Sequence, residues 1–258
     1  MTLDPLYVAL GACVGFIVGM TGVGGGSLMT PALVLLFGIH PATAVGTDLL
    51  YAALTKSAGS LVHSFRKSVA WPIVGLLAVG SVPTSIVTLA LLARLGTQNG
   101  LASKIITLAL GVALLFTALS LLLRPWLQRL RGVRPEFTAT TNALLTVLVG
   151  AFLGLVVSIS SVGAGAIGVT ALLLLYPSYS TVRIVGTDIA HAVPLTLVAG
   201  IGHWLTGSVN VSMLLSLLAG SVPAIILGSH LAHRVPERHV RYLLALVLTI
   251  VGVRLVAP

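Results

Sequence analysis

Apolar residues run along this chain in continuous stretches, and polar residues collect in the short gaps between them. The stretches cover about 7–38, 42–63, 71–93, 104–123, 141–177, 181–205, 209–231 and 239–256. Six of them have the roughly 20 residues that carry an α-helix across a hydrocarbon core. Lipid offers the backbone no hydrogen-bond partner, so a crossing segment must be a helix or part of a closed barrel. Barrel strands alternate apolar and polar positions; these runs, rich in Leu, Val, Ala and Gly, do not. The pattern predicts an all-α polytopic membrane protein. The first and fifth stretches are too long for one crossing and too short for two, at about 1.5 Å per residue. Both are interrupted by small residues, Thr21 to Ser27 and Ser160 to Ala166, and such clusters break helices.

The second half repeats the first. Gly11-Ala12-Cys13-Val14-Gly15 returns as Gly150-Ala151-Phe152-Leu153-Gly154, and Val23-Gly24-Gly25-Gly26 as Val162-Gly163-Ala164-Gly165, both 139 residues later. At an offset of 140, Gly46-Thr47-Asp48-Leu49 returns as Gly186-Thr187-Asp188-Ile189, and His63 falls on His203. Gly80-Ser81-Val82-Pro83 falls on Gly220-Ser221-Val222-Pro223 at the same offset. Rare residues matched at a nearly constant spacing indicate a duplication. A first repeat is expected over 1–123, a basic cytoplasmic linker over 124–140 and a second repeat over 141–258. Each repeat holds one glycine-broken segment (7–38 or 141–177) and three ordinary spans.

Charge bears on how the broken segments sit. Charged residues make up 7% of the chain, against about a quarter in soluble domains, too few to coat a water-soluble fold. Of the 14 Lys and Arg, Lys56 lies within a span. If each broken segment crosses once, the other 13 divide six against seven. If each enters and returns on one face, Arg94, Lys104 and Arg254 lie on one side and the remaining ten on the other. The second arrangement obeys the positive-inside rule, so re-entrant helical hairpins are expected. Three full crossings per repeat is an odd number, so the second repeat should be inverted relative to the first. Inverted repeats with broken helices are an architecture of secondary transporters, with the site at the repeat interface near the midplane. The net charge of +9 is read as membrane orientation, and no nucleic-acid partner is expected. Cys13 is the single cysteine, which excludes an internal disulfide. Met1-Thr2-Leu3-Asp4-Pro5 lacks a basic region, so no cleaved signal peptide is expected, and the expected location is the bacterial inner membrane.

The two breaks are the first candidate site. One half-helix starts near Ser27, with Pro31 in its first turns; the other follows Ser160-Ser161-Val162-Gly163-Ala164-Gly165. Their N-termini would face each other at mid-membrane, and helix N-termini carry positive potential and bind anions. Thr21, Gly24, Gly25, Gly26, Ser27, Ser160, Ser161, Gly163 and Gly165 are thus candidate substrate ligands; close helix packing is the other use of such glycines.

Polar side chains inside spans are costly and mark function. Asp48 and Asp188, following Thr47 and Thr187, are candidate ion-coupling groups or helix-end contacts. Lys56 lies mid-span, opposite Thr196 in the other repeat, and either pairs with Asp48 or meets an anionic substrate. His191 lies three residues after Asp188 on the same helix face, a candidate proton-sharing partner and third coupling residue. His63 and His203 read as interfacial anchors or site residues. His230, His233 and His239 do not converge as metal ligands would, and no metal site is expected.

A broken glycine-rich segment from Gly15 to Ser27 with Pro31 after it, then Gly46-Thr47-Asp48, then the whole unit again: in this order of elements the chain resembles the sulfite exporter TauE/SafE family. The resemblance is close from Gly11 to Pro83 and extends through the duplicate to about Arg254. It implies transport of small sulfur-containing anions driven by an ion gradient. Under it, Gly24, Gly25, Gly26 and Thr47 match the family's first motif pair, and Gly163, Gly165 and Thr187 the second, so Thr47 and Thr187 are also candidate substrate ligands. Ser158 and Ala164 depart from the pattern, standing where the first repeat has Gly19 and Gly25. The expected function is a secondary transporter of a small anion, sulfite or an organosulfonate, working by alternating access at opposed hairpin tips. No cofactor is expected; a proton or Na⁺ gradient would supply the coupling. The partners expected are the anion and the lipid bilayer, and a homodimer is compatible with such a chain. An anion channel on the same hairpins is the alternative. An intramembrane aspartyl protease on Asp48 and Asp188 is a weaker one, because duplication explains two aspartates without catalysis.

Overall fold

The computed structural model describes residues 3–21, 26–65, 67–96, 100–130, 138–231 and 237–257. Among these the chain is helices and short connections, with no strand. In order they are α1 (Pro5–Thr21), α2 (Gly26–Leu35), α3 (Pro41–Phe65), α4 (Trp71–Leu95) and α5 (Gly100–Leu130) in the first half. The second half gives α6 (Ala139–Ser160), α7 (Ala166–Leu175), α8 (Thr181–Leu205), α9 (Val211–Leu231) and α10 (Glu237–Val256). Local chemistry sets several starts. Pro5 and Pro41 open α1 and α3, where a missing N–H costs nothing. The hydroxyls of Thr138 and Ser180 accept from the Thr141 and Arg183 amides, 3.3 Å each, and cap α6 and α8.

Both long apolar stretches are broken where the small residues fall: α1 stops at Thr21 and α2 starts at Gly26, α6 stops at Ser160 and α7 starts at Ala166. Among the described residues, five helices are long and apolar enough to cross a membrane: α4, α5 as far as Trp126, α6, α8, and α9 as far as Gly228. Helix α3 has the length, 25 residues, but carries Asp48 and Lys56; α10 bears Arg238, Arg241 and Arg254. The linker expected over 124–140 begins later than charge alone suggests. Helix α5 runs on through Arg124 to Leu130, because Leu, Gln and Arg are good helix formers whatever their charge. Pro125 removes only one N–H from that turn.

Packing follows the duplication. A side chain at Gly11 would strike the Leu217 carbonyl, and one at Gly150 the Leu77 carbonyl. Gly15 lies on Ser221 and Gly154 on Ser81; Gly220 lies on Val8 and Ala12, and Gly80 on Val147 and Ala151. Each contact thus has a partner with the halves exchanged. Contact positions rise together along α1 and α9, and along α4 and α6, so each of these pairs runs parallel. In the pair α3 and α8 they run oppositely: Gly46 meets His203 and Ser208, Leu50 meets Gly200, Gly59 meets Ile189, and His63 and Ser68 meet Gly186. At its centre, Val45, Leu49, Ala192, Leu195, Leu153 and Val157 form a buried core. Glycine lets backbones approach closely in membranes, where packing and not water exclusion drives association.

Candidate functional site

At the second break, Ser161 takes the left-handed conformation (φ 60°, ψ 0°) and Gly163 and Gly165 have φ of 119° and 131°, which side chains rarely tolerate. The Ser160 hydroxyl donates to the Val156 carbonyl at 2.7 Å and accepts from the Val162 amide at 3.2 Å, tying the break to the end of α6. The amides of Ile167 and Gly168 donate to the Gly163 carbonyl at 3.2 and 3.3 Å. The first turn of α7 is therefore partly satisfied from within the break, and offers fewer open donors than its sequence suggests.

The two breaks meet. Gly26, at the start of α2, lies so close to the Ser161 carbonyl that a Cβ there would collide with it. Gly24 and Gly25, expected as ligands, lie outside the described residues, as does the side chain of Thr21. Ser27 is buried beside Gly26.

Asp48 joins three segments at this meeting point. Its Oδ2 accepts from the hydroxyls of Thr30 on α2 and Ser161 of the second break, the latter at 2.9 Å. Asp188, its counterpart on α8, is placed differently. Among the described residues its Oδ1 has no hydrogen-bond partner, and it rests against Gly168 on α7, where a Cβ would overlap it. Both aspartates are buried, with 0% and 1% exposure, and Asp48 Oδ1 also has no partner. Lys56, partly buried, donates from Nζ to the Ala164 carbonyl within the second break at 3.0 Å and acts electrostatically on both aspartates. With Gly59 level with Ile189, Asp48 and Asp188 stand about 12 residues apart along the antiparallel pair, ~18 Å of helix. That spacing does not bring two carboxyls to one water, as an aspartyl protease needs.

The threonines of the two Gly-Thr-Asp triplets turn away from the breaks. Thr47 Oγ1 accepts from the Asn210 amide at 3.1 Å, and Thr187 Oγ1 from the Ala70 amide at 2.9 Å, again with the halves exchanged. The Asp188–His191 pair expected from their spacing does not form. His191 faces α4, where Nε2 meets the Ser81 hydroxyl at 2.8 Å, while its Nδ1 has no partner. A three-residue spacing puts two side chains on one face but does not say which neighbour each meets. Nor is His203 an interfacial anchor: it is fully buried, its Nε2 2.9 Å from the Ser158 carbonyl.

Thr30, Ser81 and Gly168 are the site residues that sequence reasoning missed. Ser81 had a signal, since it belongs to the repeated Gly-Ser-Val-Pro. Thr30 lies where the offset passes from 139 to 140, so its counterpart is Val169 or Thr170 and the repeat did not mark it.

The family model described as "Sulfite exporter TauE/SafE" matches residues 7–255. The chain is 39% identical over 196 residues to "Probable membrane transporter protein YjnA" of Bacillus subtilis (strain 168), covering 75% of this chain and 76% of that one. It is 41% identical over 76 residues to "Probable membrane transporter protein YunE" of the same organism, 30% of this chain and 26% of that one. A "Probable membrane transporter protein" of Xylella fastidiosa (strain Temecula1 / ATCC 700964) is 34% identical over 74 residues, 28% of each chain. No solved structure matches the chain.

Proposed function

This chain belongs to the sulfite exporter TauE/SafE family, a multi-pass membrane transporter family, and from that membership we propose that it carries a small anion, sulfite or an organosulfonate, by alternating access between two inverted repeats. The observation that carries the reading is Lys56. It is a cation inside a span, donating at 3.0 Å to Ala164 of the second break, where Gly26 of the first break also packs. An ammonium at a junction of two broken helices is a natural receptor for a small oxyanion.

The packing directions support re-entrant hairpins and inversion. Let α3 run up; α4, after a short turn, runs down, as does α8, antiparallel to α3. Helix α9 then runs up, and α1, parallel to it, also runs up. If α1 and α3 both run up, α2 has to bring the chain back down between them. The same reasoning sends α6 down with α4, α7 up and α8 down. Corresponding helices of the two halves then point oppositely.

Under this reading the anion meets Lys56, Gly26, Ser27, Ser160, Ser161, Gly163 and Gly165, together with Gly24 and Gly25 of the first break. Thr47 and Thr187 hold the joints between repeats, Asp48, Asp188 and His191 are the candidate coupling groups, and the bacterial inner membrane is the setting. The test is counterflow in proteoliposomes: labelled sulfite and sulfoacetate should exchange against internal unlabelled anion with saturation, and Lys56→Ala should reduce the rate at least a hundredfold while still inserting. Flux without saturation or counterflow would instead assign an anion channel.

A further inference from the structure

The two aspartates match in sequence and differ in their surroundings. Asp48 Oδ2 is held by hydroxyls from α2 of its own half and from the break of the other half. Ser161 falls on Gly22, and Thr30, where the offset passes from 139 to 140, falls on Val169 or Thr170, so the second half lacks at least the counterpart of the Ser161 donor. Among the described residues each aspartate keeps an Oδ1 without a partner, and that of Asp188, buried to 1%, is pressed on the bare Cα of Gly168.

Charge counting sharpens the contrast. Lys56 is one positive charge shared between two carboxylates. Among the described residues the other titratable groups around Asp188 are His63 on α3, whose Nδ1 lies 2.9 Å from Ser68 Oγ, and, on its own helix, His191, whose Nε2 is engaged with Ser81, and the exposed Arg183, set over the Tyr179 ring. On α4 the one charged side chain, Arg94, lies beyond Leu89, which meets Gly202 at the far end of α8. Helices α6 and α7 contribute no titratable side chain. An unpaired charge inside a membrane protein is costly and is met by a partner or neutralised. Two carboxylates against one ammonium leave a net charge of −1, and a monovalent anion that engages Lys56 would make it −2.

We infer that the duplicated aspartates have divided roles: Asp48 is a latch joining the two breaks, and Asp188 takes up the monovalent cation, a proton or Na⁺, that accompanies the anion. This rests on the carrier reading above and adds which carboxylate couples. Binding balances by charge alone: the cation joins Asp188 as the anion joins Lys56, and both leave together on the other side.

The experiment compares wild type, Asp188→Asn and Asp48→Asn in proteoliposomes with labelled sulfite. It uses two assays, counterflow at equal ion concentrations and accumulation driven by an imposed gradient. One arm imposes a pH gradient without Na⁺ and the other a Na⁺ gradient at equal pH, which separates the two cations. For Asp188→Asn, accumulation should fall at least tenfold more than counterflow; for Asp48→Asn, both should fall together. Accumulation by Asp188→Asn that still follows the gradient overturns the assignment and leaves the carrier reading intact. Absence of counterflow in the wild type overturns the carrier reading itself. If Asp188→Asn does not insert, Asp188→Glu takes its place: a changed cation dependence of accumulation supports the assignment, and an unchanged one overturns it.

Discussion

The carboxylate of Asp48 and the hydroxyl of Ser161 are 2.9 Å apart, although 113 residues separate them in the chain. Because Thr30 donates to the same oxygen, the two hydroxyls share one acceptor. Ser161→Ala and Thr30→Val should each lower stability by about 1 to 2 kcal/mol, the range for a hydrogen bond to a buried charged group in a membrane protein. Groups that share a partner are not additive: either hydroxyl still satisfies the oxygen when the other is removed, so the double variant, which leaves it bare, should lose more than the two losses combined. Thermal unfolding in detergent checks this; strictly additive losses would mean that the hydroxyls do not act on one oxygen.

Exchange of the halves in the packing gives a paired expectation for the glycines. A Cβ at Gly11 or Gly150 meets a backbone carbonyl, which cannot rotate aside as a side chain can. Gly11→Val and Gly150→Val should therefore be equally damaging, by about 3 kcal/mol or more, and be seen as loss of the monodisperse peak in size exclusion. Gly75 has nothing within 4 Å of its missing Cβ. Gly75→Ala should be neutral or stabilise by up to about 1 kcal/mol, the helix preference of alanine over glycine.

Much of this was legible because the informative residues are rare against an apolar background. Gly11, Gly15, Gly80 and their counterparts stood out in runs of Leu and Val, and the offsets that matched them in sequence match them in space. The helix breaks at Thr21 and Ser160 were readable for the same reason. What a helix face meets was not readable: periodicity put His191 beside Asp188, while packing turned it to Ser81 on a helix 110 residues away in the chain. The N-terminus of the second half-helix was expected to face the other break, but there the Gly163 carbonyl takes the amides of Ile167 and Gly168. Thr30 lies where the repeat offset changes, and only the fold brings it to Asp48.

If the broken segments return to the face they enter, Leu3 and His40 lie on one side of the membrane; a single crossing puts them on opposite sides. Cys13, which is exposed, is first replaced by alanine to give a clean background. Leu3→Cys and His40→Cys should then react with an impermeant maleimide from the same side of intact right-side-out vesicles. Labelling from opposite sides would rule out the first hairpin and, with it, the inversion.

Gly168 offers a way to disturb Asp188 without touching its chemistry. A methyl group at this position would overlap the Asp188 carboxylate, and the side chain has to turn about its own torsions to escape. Gly168→Ala keeps every ionisable group, so an effect on coupling would come from carboxylate position alone. A cation held by that carboxylate should bind at least tenfold more weakly, seen as a tenfold rise in the proton or Na⁺ concentration that gives half-maximal gradient-driven uptake. Counterflow, which does not require net release of the cation, should change less than threefold. Gly59→Ala serves as the control, because its new methyl meets only Ile189 at 3.6 Å, an ordinary contact, on the neighbouring turn. Should both alanine variants show the same cation dependence as the wild type, the carboxylate of Asp188 is not where the cation sits, and the uncompensated charge has to be met elsewhere in the span.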